Sequence, residues 1–224
     1  MTIWNHIAYK RDQLLSKQYS PANVEARLSR RYHGEVGKLN RWVDDVRDAT
    51  AESIPYLDPD AAREGVRILM LFQDPSNAAD GDSGFISKHN NDKTARNYYE
   101  VTEAAHVPYE MTLNWNVVPW WSTKNPNFPG RTVTKEAPRA APYLVEFIRL
   151  LVEPPRVLVL SGDAAQKAWD RIERRIDRDL LSKMEILRCP HPSPISYNAG
   201  SRLDGRKNKV HIYETFRDAV EIAS

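Results

Sequence analysis

Four short apolar runs, each of strand length and rich in valine, isoleucine or leucine, most constrain what this chain can fold into. They lie at Val66–Phe72, Met111–Val118, Arg156–Leu160 and Met184–Cys189. Helical patterns lie between the later runs, over Tyr143–Leu151 and Ala164–Asp177, and a last helix is predicted over roughly Ile212–Ile222. Strands that alternate with helices form a mainly parallel sheet covered on both faces. We therefore expect an α/β fold, a three-layer αβα sandwich around a four-stranded, mostly parallel sheet.

The first 60 residues have a different pattern, which is helical and polar. Ser20-Pro21-Ala22 is typical of a helix start, with Pro21 at the first helical position. The helical pattern breaks at 54–59, where two prolines occur within six residues. We interpret residues 1–60 as a helical N-terminal extension packed on the core, and residues 61–224 as the main domain.

Composition excludes several classes of protein. With 41% hydrophobic and 28% charged residues, a mostly disordered chain is ruled out. No run of about 18 apolar residues occurs, and the charged start does not resemble a signal peptide. The single cysteine, Cys189, can form neither an intrachain disulfide nor a cysteine-ligated cluster, so we expect a reducing cytoplasm and no cofactor. The six histidines lack metal-ligand spacing, which predicts no metal.

A polar cluster follows or ends each apolar run. The first run leads into Gln73-Asp74-Pro75, the second carries Asn114 and Asn116, the third leads into Ser161-Gly162, and the fourth leads into Pro190-His191. In open α/β sheets, ligands bind outside the carboxyl ends of the strands. The side chains expected to converge on one cleft are Asp74, Asn116, Ser161 and His191. A carboxylate, an amide and an imidazole together are sufficient for a hydrolytic site.

These clusters resemble the motifs of uracil-DNA glycosylases. The segment 66–75, VRILMLFQDP, resembles the first motif, and 191–196, HPSPIS, resembles the second. Between them, 158–167, LVLSGDAAQK, is similar to the family's third strand and its following turn, and 116–118 resembles the strand that reads the base. The resemblance covers residues 66–200, with the motifs in order. The missing cysteines argue against the iron–sulfur branches.

The resemblance implies a monofunctional DNA glycosylase, which flips a base, hydrolyses its N-glycosidic bond and leaves an abasic site. As that bond opens, the sugar gains oxocarbenium character and the base gains negative charge. Asp74 would place negative charge near the sugar and orient the attacking water. His191 would donate a hydrogen bond to O2 of the departing base. Asn116 would read the amide-like edge of the base.

Further site residues follow from the same resemblance. Gln73 and Ser76 would line the base pocket, and Phe85 could stack on an extruded base. Ile195 could wedge into the duplex from the minor groove. The residues expected to contact DNA are Ser161, Gly162, Gln166, Lys167, Ser193, Ile195, Tyr197 and Arg202. Two basic clusters are expected to flank the cleft mouth and neutralise phosphates, one at Lys88, Lys93 and Arg96 and one at Arg202, Arg206, Lys207 and Lys209.

The sequence departs from the best-known branch directly after Gln-Asp-Pro. That branch has Tyr-His there, and its tyrosine blocks the thymine methyl group, whereas this chain has Ser76-Asn77. A serine leaves the pocket open beside C5 of the base. The expected target is therefore uracil or a modified pyrimidine. An alternative is a glycosylase for bulky modified bases of phage DNA, acting in antiviral defence.

Other interpretations stay open. Asn114 competes with Asn116, because strand alternation puts both on one face. Rival acids are Asp80, Asp82 and Asp163, although their glycine neighbours are typical of turns. A module of the same fold could bind DNA or protein without catalysis. A nucleotide-binding protein is disfavoured, because no glycine-rich loop with Lys-Ser/Thr follows a strand. We expect DNA as the partner, a monomer, and no membrane association.

Overall fold

A computed structural model describes residues 2–201 and 204–224 as an α/β fold. The strands, in chain order, are β1 (Tyr56–Leu57), β2 (Ile68–Phe72), β3 (Phe85–Ile86), β4 (Thr112–Asn116), β5 (Val157–Ser161) and β6 (Glu185–Cys189). Four of them form the main sheet in the order β4-β2-β5-β6, and every pairing in it is parallel. The short strands β1 and β3 pair separately.

Helices precede, connect and follow the strands. They are α1 (His6–Lys10), α2 (Pro21–Arg30), α3 (Val36–Thr50), α4 (Lys93–Ala104), α5 (Val133–Leu150), α6 (Asp163–Ile172), α7 (Arg178–Leu181), α8 (Pro194–Asn198) and α9 (Asn208–Ala223). Within the described ranges, no helix is both long and apolar enough to cross a membrane.

One face of the sheet packs against α3, α5 and α6. Leu69, Leu71 and Leu113 alternate with residues of the opposite face and join a large apolar cluster. Trp115 of β4 stacks on Phe147 of α5, with ring centroids 4.7 Å apart. This layer contains the larger of the apolar clusters that hold the molecule together.

The other face of the sheet packs against α4 and α9. Ile68, Met70 and Val159 point to this side, where they meet Tyr98 of α4 and Phe216 of α9. Helices therefore cover both faces, and the chain has the predicted three-layer arrangement. The central strands β2 and β5 are continuous apolar runs because both of their faces are buried, whereas Glu185 and Arg188 of the edge strand β6 are exposed.

The four predicted strands of the sheet are all present, each within a few residues of its expected bounds. The sheet is parallel throughout, rather than mostly parallel. Helix α5 begins at Val133, ten residues before the predicted start, and it contains Pro138 and Pro142, although proline is rare inside helices. The predicted helix 164–177 ends as an α-helix at Ile172 and continues as a 3-10 turn.

Helix α4 was not predicted, although it packs directly on the sheet. Asn97 and Thr102 are buried on its inner face beside Tyr98 and Val101, so polar residues interrupt its apolar pattern. The amide of Asn97 donates to the carbonyl of Pro192 at 2.9 Å, which links α4 to the loop after β6. The polar inner face thus has a structural purpose that hydropathy does not detect.

The N-terminal helices contact the rest of the molecule closely. Pro21 occupies the first turn of α2, as predicted. Val43 and Trp42 of α3 belong to the large apolar cluster, and Trp42 lies 6.0 Å from the ring of Trp115. Ala8 of α1 packs with Tyr99 of α4. Helix α3 and the sheet share one apolar core. The domain boundary at residue 60 stays a prediction.

The order of the strands creates a switch point at one end of the sheet. From β2 the chain moves outward to β4, then returns to the other side of β2 to form β5 and β6. Ligands of open α/β sheets bind at such a point, outside the carboxyl ends of the strands.

Candidate active site

A cavity of about 390 Å³ opens at the carboxyl ends of β2 and β4, beside the loop that follows β6. The polar residues that line it at these strand ends are Gln73, Asp74, Asn114, Asn116, His191 and Ser193. The structure therefore brings together Asp74, Asn116 and His191. Ser161 ends β5 but is fully buried and is not part of the lining.

Asp74 is held by the loop that follows β4. Its Oδ2 accepts hydrogen bonds from the Ser122 amide at 3.1 Å, the Ser122 hydroxyl at 2.8 Å and the Thr123 amide at 2.6 Å. Three donors on one oxygen fix the orientation of the carboxyl group. Ser122 and Thr123 were not predicted as site residues, because a lone Ser-Thr pair carries no recognisable signal.

His191 has a defined tautomer and a defined position. The Ser193 amide donates to its Nδ1 at 3.1 Å, so the neutral ring carries its proton on Nε2. Burial lowers the pKa of His191 to about 4, so the ring is neutral at neutral pH. Phe72 meets the imidazole edge to face, with centroids 6.0 Å apart. Gly162 comes so close that a β-carbon there would lie 2.8 Å from Cβ of His191.

The two asparagines of β4 both line the cavity, as strand alternation predicts, but their side chains differ. Oδ1 of Asn114 accepts from the Tyr98 hydroxyl at 2.7 Å. The side chain of Asn116 also lines the cavity, and it forms no hydrogen bond to another residue in the described ranges. Its amide is therefore available to a ligand in the cavity. This difference favours Asn116 as the reader of a ligand.

Ser76 lines the cavity beside a second carboxyl group. Its hydroxyl donates to Oδ2 of Asp92 at 3.1 Å, while Oδ1 of Asp92 accepts from the Ala95 amide at 2.8 Å and caps α4. Burial raises the pKa of Asp92. Ser76 is itself exposed, so its side chain does not close the cavity. Asp92 was not predicted as a site residue.

The aromatic residues of the cavity are not the expected ones. Phe85 is fully buried in a separate cluster with Leu15 and Val24 and does not line the cavity. It cannot meet a base there unless the strand β3 moves. Phe72 and Trp121 line the cavity instead, and Gln73 joins them as predicted.

Three of the residues expected to contact DNA form hydrogen bonds within the fold. The Gly162 amide donates to the carbonyl of Cys189 at 2.8 Å, and the Ser161 hydroxyl faces the carbonyl of Pro190 at 3.5 Å. The Gln166 amide donates to the carbonyl of Cys189 at 3.0 Å. These bonds join β5 and α6 to β6, so contact with DNA by these three residues stays a prediction without support from their positions.

The other residues expected to contact DNA differ in their exposure. Lys167 is exposed on α6, and Ser193 lines the cavity. Ile195 of α8 is 85% exposed, so the fold does not bury its apolar side chain. This exposure suits the expected role as a wedge. Tyr197 is buried, and burial raises its pKa to about 12. Arg202 lies outside the described residues.

The basic clusters are only partly available to phosphates. Lys88, expected at the cleft mouth, is buried, and its ammonium group lies 3.5 Å from Glu103 and near the rings of Tyr99 and Tyr109. Arg206 forms ion pairs with Asp204 and Glu214. Both positions therefore differ from the expectation of free cations, because neighbouring carboxylates already neutralise them.

Lys124 is a cation that the sequence analysis missed. It is exposed at the edge of the cavity, next to the Thr123 amide that holds Asp74, and its backbone is left-handed at φ 58°. The rival acids Asp80, Asp82 and Asp163 are not among the residues that line the cavity. In the part of the chain that the structure describes, no group of three or more His, Cys, Asp or Glu side chains could hold a metal ion.

The fold and the cavity define a parallel α/β protein with a carboxylate, a neutral imidazole and an amide at its strand ends. Residues 59–218 match the family model of the uracil DNA glycosylase superfamily, and the chain belongs to that superfamily. Members are usually DNA glycosylases and act on DNA. A comparison with curated proteins finds no match.

Proposed function

We propose that this protein is a monofunctional DNA glycosylase, which extrudes a pyrimidine from DNA and hydrolyses its N-glycosidic bond to leave an abasic site. The observation that carries the proposal is the meeting of Asp74, Asn116 and His191 in one cavity at the switch point of the sheet. This set supplies a fixed negative charge, a base-reading amide and a neutral hydrogen-bond donor.

Each group has a task in breaking the bond between base and sugar. The carboxylate of Asp74 stabilises the positive charge that develops on the sugar and orients the attacking water. Its orientation by Ser122 and Thr123 costs nothing at the moment of reaction, because the donors are in place beforehand. His191 donates from Nε2 to the oxygen of the departing base, which gains negative charge as the bond opens.

Recognition of the base and of the strand uses two further residues. Asn116 offers a donor and an acceptor to the amide-like edge of the base. Ile195, exposed beside the cavity, fills the space that the extruded base leaves in the stack. Extrusion is required because the scissile bond cannot be reached by a cavity while the base is stacked.

The test is an alkaline-cleavage assay on labelled DNA that contains uracil, thymine, hypoxanthine or a C5-modified cytosine, in single and double strands. Asp74→Asn should lower the rate of abasic-site formation at least about 100-fold, the usual effect of removing one preorganised electrostatic group. Asp80→Asn is the matched control, because Asp80 lies in the next turn and does not line the cavity.

The same assay tests the monofunctional part of the proposal. A strand-cleaving lyase step would require a covalent imine between a lysine and the abasic sugar, and Lys124 is the lysine at the cavity. If the enzyme is monofunctional, borohydride should trap no protein–DNA complex, and a trapped complex that Lys124→Ala abolishes would contradict this part of the proposal. If no substrate yields Asp74-dependent abasic sites, the protein is a binding module with a glycosylase fold.

The shape of the cavity favours a second substrate class, pyrimidines with a substituent at C5. The cavity, of about 390 Å³, is open towards solvent, so its walls do not confine the substrate to an unsubstituted pyrimidine ring. Ser76 leaves the wall open, and Asp92 behind it gives that wall a hydrogen-bonding group. Excision of bulky modified bases would suit defence against phage DNA that carries them.

Ser76→Tyr tests this second class. The tyrosine should restrict the wall beside the base, lowering kcat/KM on a C5-substituted base at least about tenfold while activity on uracil is retained. A steric clash of one substituent with a closed pocket lowers kcat/KM by about this factor. Equal loss on both bases would contradict the open wall, and Asn77→Ala at the adjacent position serves as the control for general disturbance of the turn.

A further inference from the structure

A second, smaller depression lies next to the cavity and has no role in the mechanism. It has a volume of about 200 Å³ and is formed by the N-terminal segment, the start of α4 and the start of α8. Its main residues are Trp4, His6, Lys93, Arg96 and Pro194, and we call it the Trp4 groove.

The Trp4 groove is continuous in sequence with the cavity at two points. Thr94 and Ala95 of α4 line the cavity, while Lys93 and Arg96 of the same turn line the groove. Ser193 lines the cavity, and the next residue, Pro194, lines the groove. A polymer that enters the cavity with one unit therefore passes the groove with a neighbouring unit.

Trp4 provides a flat apolar surface in the groove. Its side chain is 41% exposed, and the ammonium group of Lys93 lies 4.0 Å from the ring centroid. Aromatic rings beside cations are the surfaces on which proteins stack the bases of single strands. An exposed tryptophan is also unusual in a fold that buries Trp115, Trp120 and Trp169.

The position of Trp4 is fixed by the loop that also forms the cavity wall. The Trp4 amide donates to Oδ1 of Asn91 at 2.8 Å. The buried side chain of Asn5 donates to the carbonyls of Lys88 and Asn90, at 2.9 and 3.1 Å. Asn90 lines the cavity itself, so ring and cavity are held in a constant relation.

The charge of the groove suits a phosphate. None of the described residues that line it is a carboxylate, and Lys93, Arg96 and His6 all carry nitrogen donors. Neither Lys93 nor Arg96 forms an ion pair within residues 2–201 and 204–224. Nη2 of Arg96 donates to Oδ1 of Asn97 at 3.0 Å, which orients the guanidinium group. Nε of Arg96 is buried and has no hydrogen-bond acceptor in the described ranges.

We propose that the Trp4 groove binds the nucleotide next to the extruded one on the same DNA strand. Trp4 stacks on its base, and Lys93 and Arg96 bind the adjoining phosphate. This assignment rests on the proposed glycosylase function, and it gives the N-terminal segment a direct part in holding the substrate. It also means that the nucleotide in the groove leaves the stack of the duplex, so single-stranded or locally melted DNA is preferred.

Binding to an abasic-site analogue tests the groove without any catalysis or base recognition. Labelled single strands and duplexes with one tetrahydrofuran site are titrated with wild type, Trp4→Ala and Trp4→Phe, and fluorescence anisotropy gives Kd. Trp4→Ala should weaken single-strand binding about tenfold, within the range found at base-stacking positions, and Trp4→Phe should restore most of it. Tyr9→Ala is the matched control, since Tyr9 is 52% exposed in the same N-terminal region but does not line the groove.

Shortening the DNA provides the second arm. Removal of the nucleotides on one side of the tetrahydrofuran site, with the adjoining phosphate kept as a terminal group, should weaken wild type about tenfold and leave Trp4→Ala unchanged, because ring and base contribute one shared contact. Lys93→Gln should lower the slope of log Kd against log salt by about 0.7, the value for one phosphate contact on a single strand.

Two results would overturn the assignment. Equal Kd values for wild type and Trp4→Ala would show that the ring binds no nucleotide. A loss of affinity in Tyr9→Ala as large as the loss in Trp4→Ala would show the same. If wild type still makes Asp74-dependent abasic sites in either case, the groove alone is wrong and the glycosylase function stands. Wild type that neither binds the analogue nor excises a base would contradict the proposed function as well.

Discussion

His191 shows how a single residue acquires its chemistry from its surroundings. The Ser193 amide occupies Nδ1, and burial lowers the pKa of the ring to about 4, so a neutral donor persists far below the usual titration range near 6.5. We predict that kcat/KM shows no inflection from His191 between pH 5 and 8. Nitrogen NMR of the imidazole should find Nδ1 unprotonated and Nε2 protonated throughout that range.

The lowered pKa of His191 also makes the stability of the fold depend on pH. The folded pKa lies below the unfolded value, so the contribution of His191 is fully present above about pH 6.5 and is lost as the pH falls towards 4. The loss should approach roughly 3 kcal/mol, and the variant His191→Gln should lack this component. Titration of His191 near 6.5 in the folded protein would contradict both expectations and the role of a neutral donor.

At the scale of elements, Gly162 connects β5 to the position of His191. It begins the turn into α6 with a left-handed φ of 90°, and a β-carbon would lie 2.8 Å from Cβ of His191. We predict that Gly162→Ala displaces the imidazole and lowers kcat about 100-fold, since a shift of about 1 Å at a reacting group has effects of that size. Steady-state excision rates and chemical shifts of His191 are the measurements.

A matched variant separates displacement from backbone strain. Gly65 has a nearly equal φ of 89°, but a β-carbon there meets nothing within 4 Å. Gly65→Ala should cost stability of about 1 kcal/mol, as a left-handed alanine does, and leave the excision rate unchanged. If both variants lower the rate equally, the contact of Gly162 with His191 does not matter for catalysis.

The elements also show which parts of the fold a sequence can predict. The strands β2 and β5 are continuous apolar runs buried on both faces, and β4 and β6 are short runs that still contain several apolar residues. All four strands were therefore located, and with them the strand-end residues Asp74, Asn116 and His191. Helix α4 was missed because Asn97 and Thr102 are buried in its apolar face. Its first residues form part of both cavity and groove, so this one omission hid the contribution of Asp92.

Other parts of the site depend on contacts that no local pattern encodes. Phe85 follows Gly84 as a stacking residue would, yet β3 pairs with β1 and turns the ring into a separate cluster. The donors that hold Asp74 come from the loop after β4, 48 and 49 residues further along the chain. Long-range pairing decided both outcomes, and residue types alone could not.

At the scale of the whole molecule, a buried charge network joins the N-terminal helices to the cavity wall. Arg27 of α2 pairs with Asp58, which is fully buried, and with Asp60 at 2.7 Å. Oδ2 of Asp58 accepts from the Ser87 hydroxyl at 2.6 Å, and Ser87 lines the cavity. Burial alone would raise the pKa of Asp58, but hydrogen bonding with His89 and the charge of Arg27 hold it well below its usual range.

We predict that Arg27→Met destabilises the whole protein by about 3–5 kcal/mol, because it leaves the charge of Asp58 buried without its partner. Arg30→Met is the control on the same helix: Arg30 also pairs with Asp60 at 2.7 Å, but its side chain is 43% exposed, and exposed pairs contribute about 0–1 kcal/mol. Urea unfolding followed by circular dichroism gives both values. The double variant Arg27→Met/Asp58→Asn should recover part of the loss, since the unpaired charge is gone. Similar small losses for Arg27→Met and Arg30→Met would show that the N-terminal helices are fastened by apolar packing alone, and that the cavity wall at Ser87 does not depend on them.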